Sequence, residues 1–101
     1  MRVWFEVKPM GSGIVVTPFL DGSDSNKDVL RYELESESHT LAGDSQIRQS
    51  GGVRVSHDHP TPITQLRMSP TQSGDCEIRL RLFDNNSLIV EKVLTNCQPS
   101  I

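Results

Sequence analysis

Cys76 and Cys97 are the only cysteines of the chain and bracket its most regular alternating stretch. A two-residue turn at Asn85-Asn86 would pair Asp84 with Ser87 and, counting outward, Cys76 with Thr95. Cys97 then lies two residues further along the same face. Disulfides need Cα atoms about 4.4–6.8 Å apart, so a fray or bulge of one step at the open end of this hairpin lets the sulfurs bond in an oxidising compartment. The other reading is two free, buried thiols. No C-x-x-C spacing is present to lower a thiol pKa, so redox chemistry is not expected. His57-Asp58-His59, with His39 elsewhere, offers the two imidazoles and carboxylate that can ligate zinc, but the plain reading is a polar loop ahead of Pro60, and no metal is expected. Ser, His and Asp occur without a G-x-S-x-G elbow, and Gly11-Ser12-Gly13 lacks the strand-to-helix context of such a nucleophile. No G-x-G-x-x-G or phosphate loop occurs either. Neither an enzyme nor a cofactor is expected.

The cations carry more information. In the register counted from Asn85-Asn86, Arg79 faces Lys92 and Arg81 lies two residues along the same strand, so three positive charges share one face. Arg31 joins them if its strand neighbours this hairpin. Like charges directly opposite destabilise a sheet, so this placement needs Glu33, Glu77 or an external anion to offset it. Either it is a solvated face of mixed sign, or Arg31, Arg79, Arg81 and Lys92 form a binding face. The latter is the candidate site.

The elements that position these residues are strands. A single Ala, Ala42, stands against nine Val, six Ile and six Thr, and β-branched residues fit a pleated sheet better than a helix. With 101 residues the chain is expected to form one domain, 1–101. The formal charge of −3 gives no reason to expect nucleic acid. The longest uncharged run, Pro9 to Leu20, is far too short to span a bilayer, so no membrane insertion is expected. The first residues lack the basic, apolar and small-residue segments of a signal peptide, which does not fix a cytoplasmic home.

Val3, Phe5 and Val7 alternate with Trp4, Glu6 and Lys8 in a first strand; Ile14 to Leu20 is a second, in which Pro18 marks an edge or a bulge. Leu30, Tyr32 and Leu34 share one face of a third, central strand over Val29 to Glu37, with Arg31, Glu33 and Glu35 on the other. Ser36 to Ser45 reads as a polar connection. Gln46 to Gln49 and Val53 to Ser56 read as two short edge strands joined at Gly51-Gly52, Ile63 to Met68 as another strand, and Pro70 to Gly74 as a turn. Ile78, Leu80 and Leu82 face inward from the last hairpin, which returns over Leu88 to Leu94. Seven or eight strands at this spacing predict a two-sheet antiparallel sandwich.

Four segments, in order, carry a resemblance: Tyr32-Glu33-Leu34-Glu35-Ser36, Gly43-Asp44-Ser45-Gln46-Ile47-Arg48-Gln49-Ser50-Gly51, Leu66-Arg67-Met68-Ser69-Pro70, and Leu82-Phe83-Asp84 with Ser87-Leu88-Ile89-Val90. From about Ile14 to Leu94 the chain resembles the small periplasmic chaperones of curli biogenesis that inhibit amyloid formation, the CsgC/CsgH type, and within it the CsgH branch. The resemblance implies an immunoglobulin-like β-sandwich in the periplasm that binds the amyloid-forming curli subunit before it nucleates. One departure matters: where the CsgC branch carries a Cys-x-Cys pair, this chain has Asp28 and Leu30, so no redox role follows from that pair. A monomer is expected. The competing reading is a structural or adhesive immunoglobulin-like module of a surface or fimbrial assembly. Should the cationic face not bind the client, the edge segment Gln46, Ile47, Arg48 and Gln49 is the alternative, because it offers unpaired backbone groups instead of charge.

Overall fold

Alternating strands bury one face each, and two such faces close on one another. The computed structural model describes residues 1–40, 43–68 and 76–95, and among these the chain forms eight strands and no helix. They are β1 (Arg2–Met10), β2 (Gly13–Asp21), β3 (Val29–Thr40), β4 (Gly43–Arg54), β5 (Thr61–Pro62), β6 (Leu66–Met68), β7 (Cys76–Asp84) and β8 (Ser87–Thr95). One sheet runs β1-β2, with β5 and β6 both pairing the far side of β2; the other runs β4-β3-β7-β8, and every pairing is antiparallel. This is an immunoglobulin-like sandwich with one strand added beyond the third.

The core follows the alternation. Leu30, Leu34, Ile78, Leu80 and Leu82 are at most 2% exposed and meet Val16, Leu20, Leu66 and Met68 of the opposite sheet. Val3, Tyr32 and Ile63 touch both halves of this core. On the far side of the first sheet Trp4 stacks on Phe19, ring centroids 5.8 Å apart, so the first strand has the two faces its pattern requires.

Four expectations change. Pro18 lies at neither an edge nor a bulge: β2 is central, and Pro18 falls between the residues paired with β6 and those paired with β5. With no N–H it offers only its carbonyl, which accepts from the Ile63 amide at 2.9 Å; the strand expected over Ile63 to Met68 is shortened to Leu66–Met68, and Thr61–Pro62 forms a separate strand before it. Within the expected polar stretch Ser36 to Ser45, residues 36–40 instead continue β3 and residues 43–45 belong to β4. Ser36 and Ser38 take inward positions, each 2% exposed, and small polar residues there hide the alternation of the second half of β3. Gly51-Gly52 is not a turn. Gly51 pairs with Tyr32 and lies under its ring, where a Cβ would sit 3.1 Å from Tyr32 Cε1. The two expected short strands are therefore one twelve-residue strand, Gly43–Arg54. The turn expected at Pro70 to Gly74 lies outside the described residues.

The last correction concerns register. Asp84 pairs with Ser87 across Asn85-Asn86, and Asn85 takes a left-handed φ of 54°, which Asn tolerates. Between Leu82 and Phe83 the ladder then slips by one residue, so Leu82 faces Val90, Leu80 faces Lys92, Arg81 faces Glu91 and Arg79 faces Val93. Without this bulge Glu91 would oppose buried Leu80. The slip moves Glu91 to the outer face and turns Val90, Lys92 and Leu94 inward. Lys92 is tolerated there because it lies on an edge strand, where a long side chain carries its ammonium to water.

Candidate functional site

The outer face of the β4-β3-β7-β8 sheet gathers most of the residues singled out by sequence. Alternation on β3 and β7 presents Arg31, Glu33, Glu35 and Glu37 beside Phe83, Arg81, Arg79 and Glu77 in that order. β4 adds Arg48, which faces Glu35, and β8 adds Glu91, which faces Arg81. Arg31 lies 4.3 Å over the Phe83 ring and bonds Glu33 at 2.7 Å. Arg81 donates through Nε to Glu91 at 2.8 Å and places Nη1 3.7 Å from Glu35. The hydrogen bond from Arg81 holds the Glu91 carboxyl below its ordinary range, and the same bond raises Arg81 above its own. Arg79 bonds Glu77 at 3.0 Å, which offsets the like-charged pair Glu37 and Glu77. A shallow depression between β3 and β4 is lined by Glu33, Glu35, Arg48 and Ser50 among others.

Three of the four cations of the expected basic face come together, and the fourth does not. Arg31, Arg79 and Arg81 do share one face, and β3 does neighbour the hairpin. Lys92 does not join them, because the bulge places it on the opposite face. Each of the three arginines already holds a glutamate. Four arginines, counting Arg48, stand against Glu33, Glu35, Glu37, Glu77 and Glu91, so the face is a lattice of alternating sign. The pairs are exposed, and such pairs contribute little to stability.

The alternative site is also placed. Gln46, Ile47, Arg48 and Gln49 lie mid-way along β4, which forms one border of this sheet. Ile47 points to the sandwich side yet is 36% exposed, and Arg48 approaches Glu35 only to 3.9 Å. Thr64 donates to the Gln49 side chain at 3.0 Å, tying the middle of β4 to the connection between β5 and β6. The border strand β8 carries what sequence reading passed over: Leu88, Ile89 and Val93 are 51%, 41% and 40% exposed. The unbroken run Leu88-Ile89-Val90 was the available signal, since a half-buried strand would alternate.

His57 has a structural task. Its Nδ1 meets the Gly22 carbonyl at 3.1 Å and its Nε2 meets Asp28 Oδ1 at 3.3 Å. Both partners accept, so both ring nitrogens must donate, and the Asp28 carboxylate and Gly22 carbonyl push the His57 pKa up. The approach of the two loops is close: a Cβ on Gly22 would drive into Val55. His59 turns instead to Asp58 at 2.8 Å, and His39 to Asp44 at 2.9 Å. Among the described residues no three His, Cys, Asp or Glu groups converge where a metal ion could sit. Cys76 is buried at the start of β7 with its sulfur 3.9 Å from that of Met68, and Cys97 lies outside the described residues. No described helix is long and apolar enough to cross a membrane.

No protein-family model and no curated protein sequence matches the chain. Solved structures do. CsgH of R. palustris, determined in solution, matches with a TM-score of 0.70 at 17% identity, covering 93% of this chain and 92% of its own. The E. coli curli protein CsgC matches with a TM-score of 0.69 at 17% identity, over 91% of this chain and 95% of its own. Over about nine-tenths of its length the chain has the fold of these two proteins.

Proposed function

We propose that the chain is a periplasmic chaperone of curli assembly that binds the amyloid-forming curli subunit as a monomer and delays its fibrillation, without catalysing a reaction. One observation carries the reading: the sandwich matches that of a curli protein, and that of CsgH, over more than nine-tenths of every chain compared. The segments that carry the sequence resemblance also fall on β3, β4, β6 and the β7–β8 hairpin, so three of the four belong to the one sheet described above. That sheet is the contact surface. Its outer face holds arginines that are already paired, so a client carboxylate has to displace Glu33, Glu77 or Glu91 from Arg31, Arg79 or Arg81. Exchange between exposed ion pairs is weak and readily reversed, which suits a protein that meets many early species in turn.

The test is fibrillation of purified major curli subunit followed by thioflavin fluorescence with the chain at substoichiometric ratio. A lengthened lag is the expected result. A structural or adhesive module of the same fold leaves the lag unchanged, and that result overturns the reading.

A further inference from the structure

The sandwich has four borders, and three of them are closed to strand addition. β8 carries a bulge and an inward-pointing charge, Lys92, two features that keep sheet edges from pairing with other chains. β1 carries Lys8 and Pro9 in its last three residues, and proline offers no N–H to a neighbour. β5 and β6 are two and three residues long and interrupted. β4 differs from all of these. It pairs β3 through twelve consecutive residues with no register shift, contains no proline, and turns no charged side chain toward the sandwich. Among the described residues no strand pairs its other side.

We infer that the outer border of β4 is the site at which an extended client segment adds as a fifth strand of the β4-β3-β7-β8 sheet. This rests on the function proposed above. The border itself selects the occupant. From Ser45 to Val53 the only charged side chain is Arg48, 69% exposed and loosely held by Glu35 at 3.9 Å. On the sandwich side the row is Ser45, Ile47, Gln49 and Gly51, with Ile47 incompletely covered. A strand laid there is favoured if it is uncharged or carries one acidic residue beside Arg48, and if it sets an aliphatic side chain beside Ile47. High β-propensity, low charge and freedom from proline also define segments that stack into amyloid, and about six or seven residues suffice for a steric zipper. β4 is long enough to cap one such segment completely. The capped segment has its backbone groups satisfied and presents a sheet that continues into charged β3 and β7 instead of into another copy of itself.

Ile47→Lys places an inward charge on β4 at a position already open to water, and Met10→Lys places a charge on β1, at an exposed border position of the other sheet. With purified major curli subunit as probe, wild-type protein and Met10→Lys are expected to lengthen the lag equally, and Ile47→Lys to lose the delay with an unchanged far-UV spectrum. Ser45→Lys, in the same inward row, replaces Ile47→Lys if that variant does not fold. A folded β4 variant that delays fibrillation as well as wild type overturns the β4 site alone. Wild-type protein with no effect on the lag overturns the chaperone function itself.

Discussion

Replacing Lys92 by Leu tests the register of the last hairpin and the closure of the β8 border together. Lys92 faces Leu80, which is fully buried, and its inward neighbours on β8 are Val90 and Leu94, both half-buried against the core. Full burial of a leucine is worth roughly 1.5–3 kcal/mol, and a position on an exposed border realises about a third of that, or about 0.5–1 kcal/mol. For a domain of this size the gain raises the melting temperature by roughly 2–8 °C. The larger consequence is association. Antiparallel pairing of two β8 strands about residue 92 sets two lysines about 5 Å apart, a repulsion of about 1 kcal/mol even in water, and the leucine removes it while adding apolar contact. Wild-type protein is therefore expected to stay monomeric in sedimentation velocity across a concentration series, whereas Lys92→Leu forms dimers or larger species. A variant that is both no more stable and strictly monomeric refutes the inward placement of Lys92.

Three further outcomes follow from the packing and the loops. Leu80→Ala empties a fully buried position between the sheets and is expected to cost about 3 kcal/mol, read as a lower urea midpoint; a change within error of zero contradicts the core assignment. The pKa of His57 is higher folded than unfolded, so its stabilisation is complete below the ordinary value of 6.5 and is lost as pH rises through the raised value. The wild-type advantage over His57→Gln in urea should accordingly be larger at about pH 6 than at about pH 8.5. The described ladder ends at Glu77 and Thr95, one residue from Cys76 and two from Cys97, and we propose that the two cysteines are bonded. Closing a loop of about 20 residues stabilises by about 3 kcal/mol in the chain-entropy picture, and thiols that alkylate freely in denaturant without reductant exclude the bond.

Much of this architecture is legible in sequence because apolar alternation is the main determinant of a half-buried strand. Leu30, Tyr32 and Leu34 on β3 and Ile78, Leu80 and Leu82 on β7 were readable for that reason, as was the two-residue turn at Asn85-Asn86. What was hidden depends on partners rather than on pattern. Ser36 and Ser38 are inward yet polar, so β3 looked shorter than it is. Gly51 stays extended because the Tyr32 ring covers it, and a glycine pair looks like a turn until that ring is seen. The bulge beside Leu82 sets Glu91 opposite Arg81 and relocates Lys92 to the other face. Counting from the turn assumes an unbroken ladder, so the four-cation face was the casualty. The border position of Gln46 to Gln49, by contrast, followed correctly from low hydrophobicity.

Amide hydrogen exchange of the chain, alone and with freshly prepared monomeric curli subunit, tests the central claim most directly. Backbone amides between Ser45 and Val53 that point away from β3 are unpaired by any described strand, so they exchange readily in the free protein and should become protected on addition of the subunit, while β8 amides from Leu88 to Val93 do not change. Protection confined to β8 or to β1, with β4 exchanging as before, would contradict strand addition at β4 and place the client elsewhere.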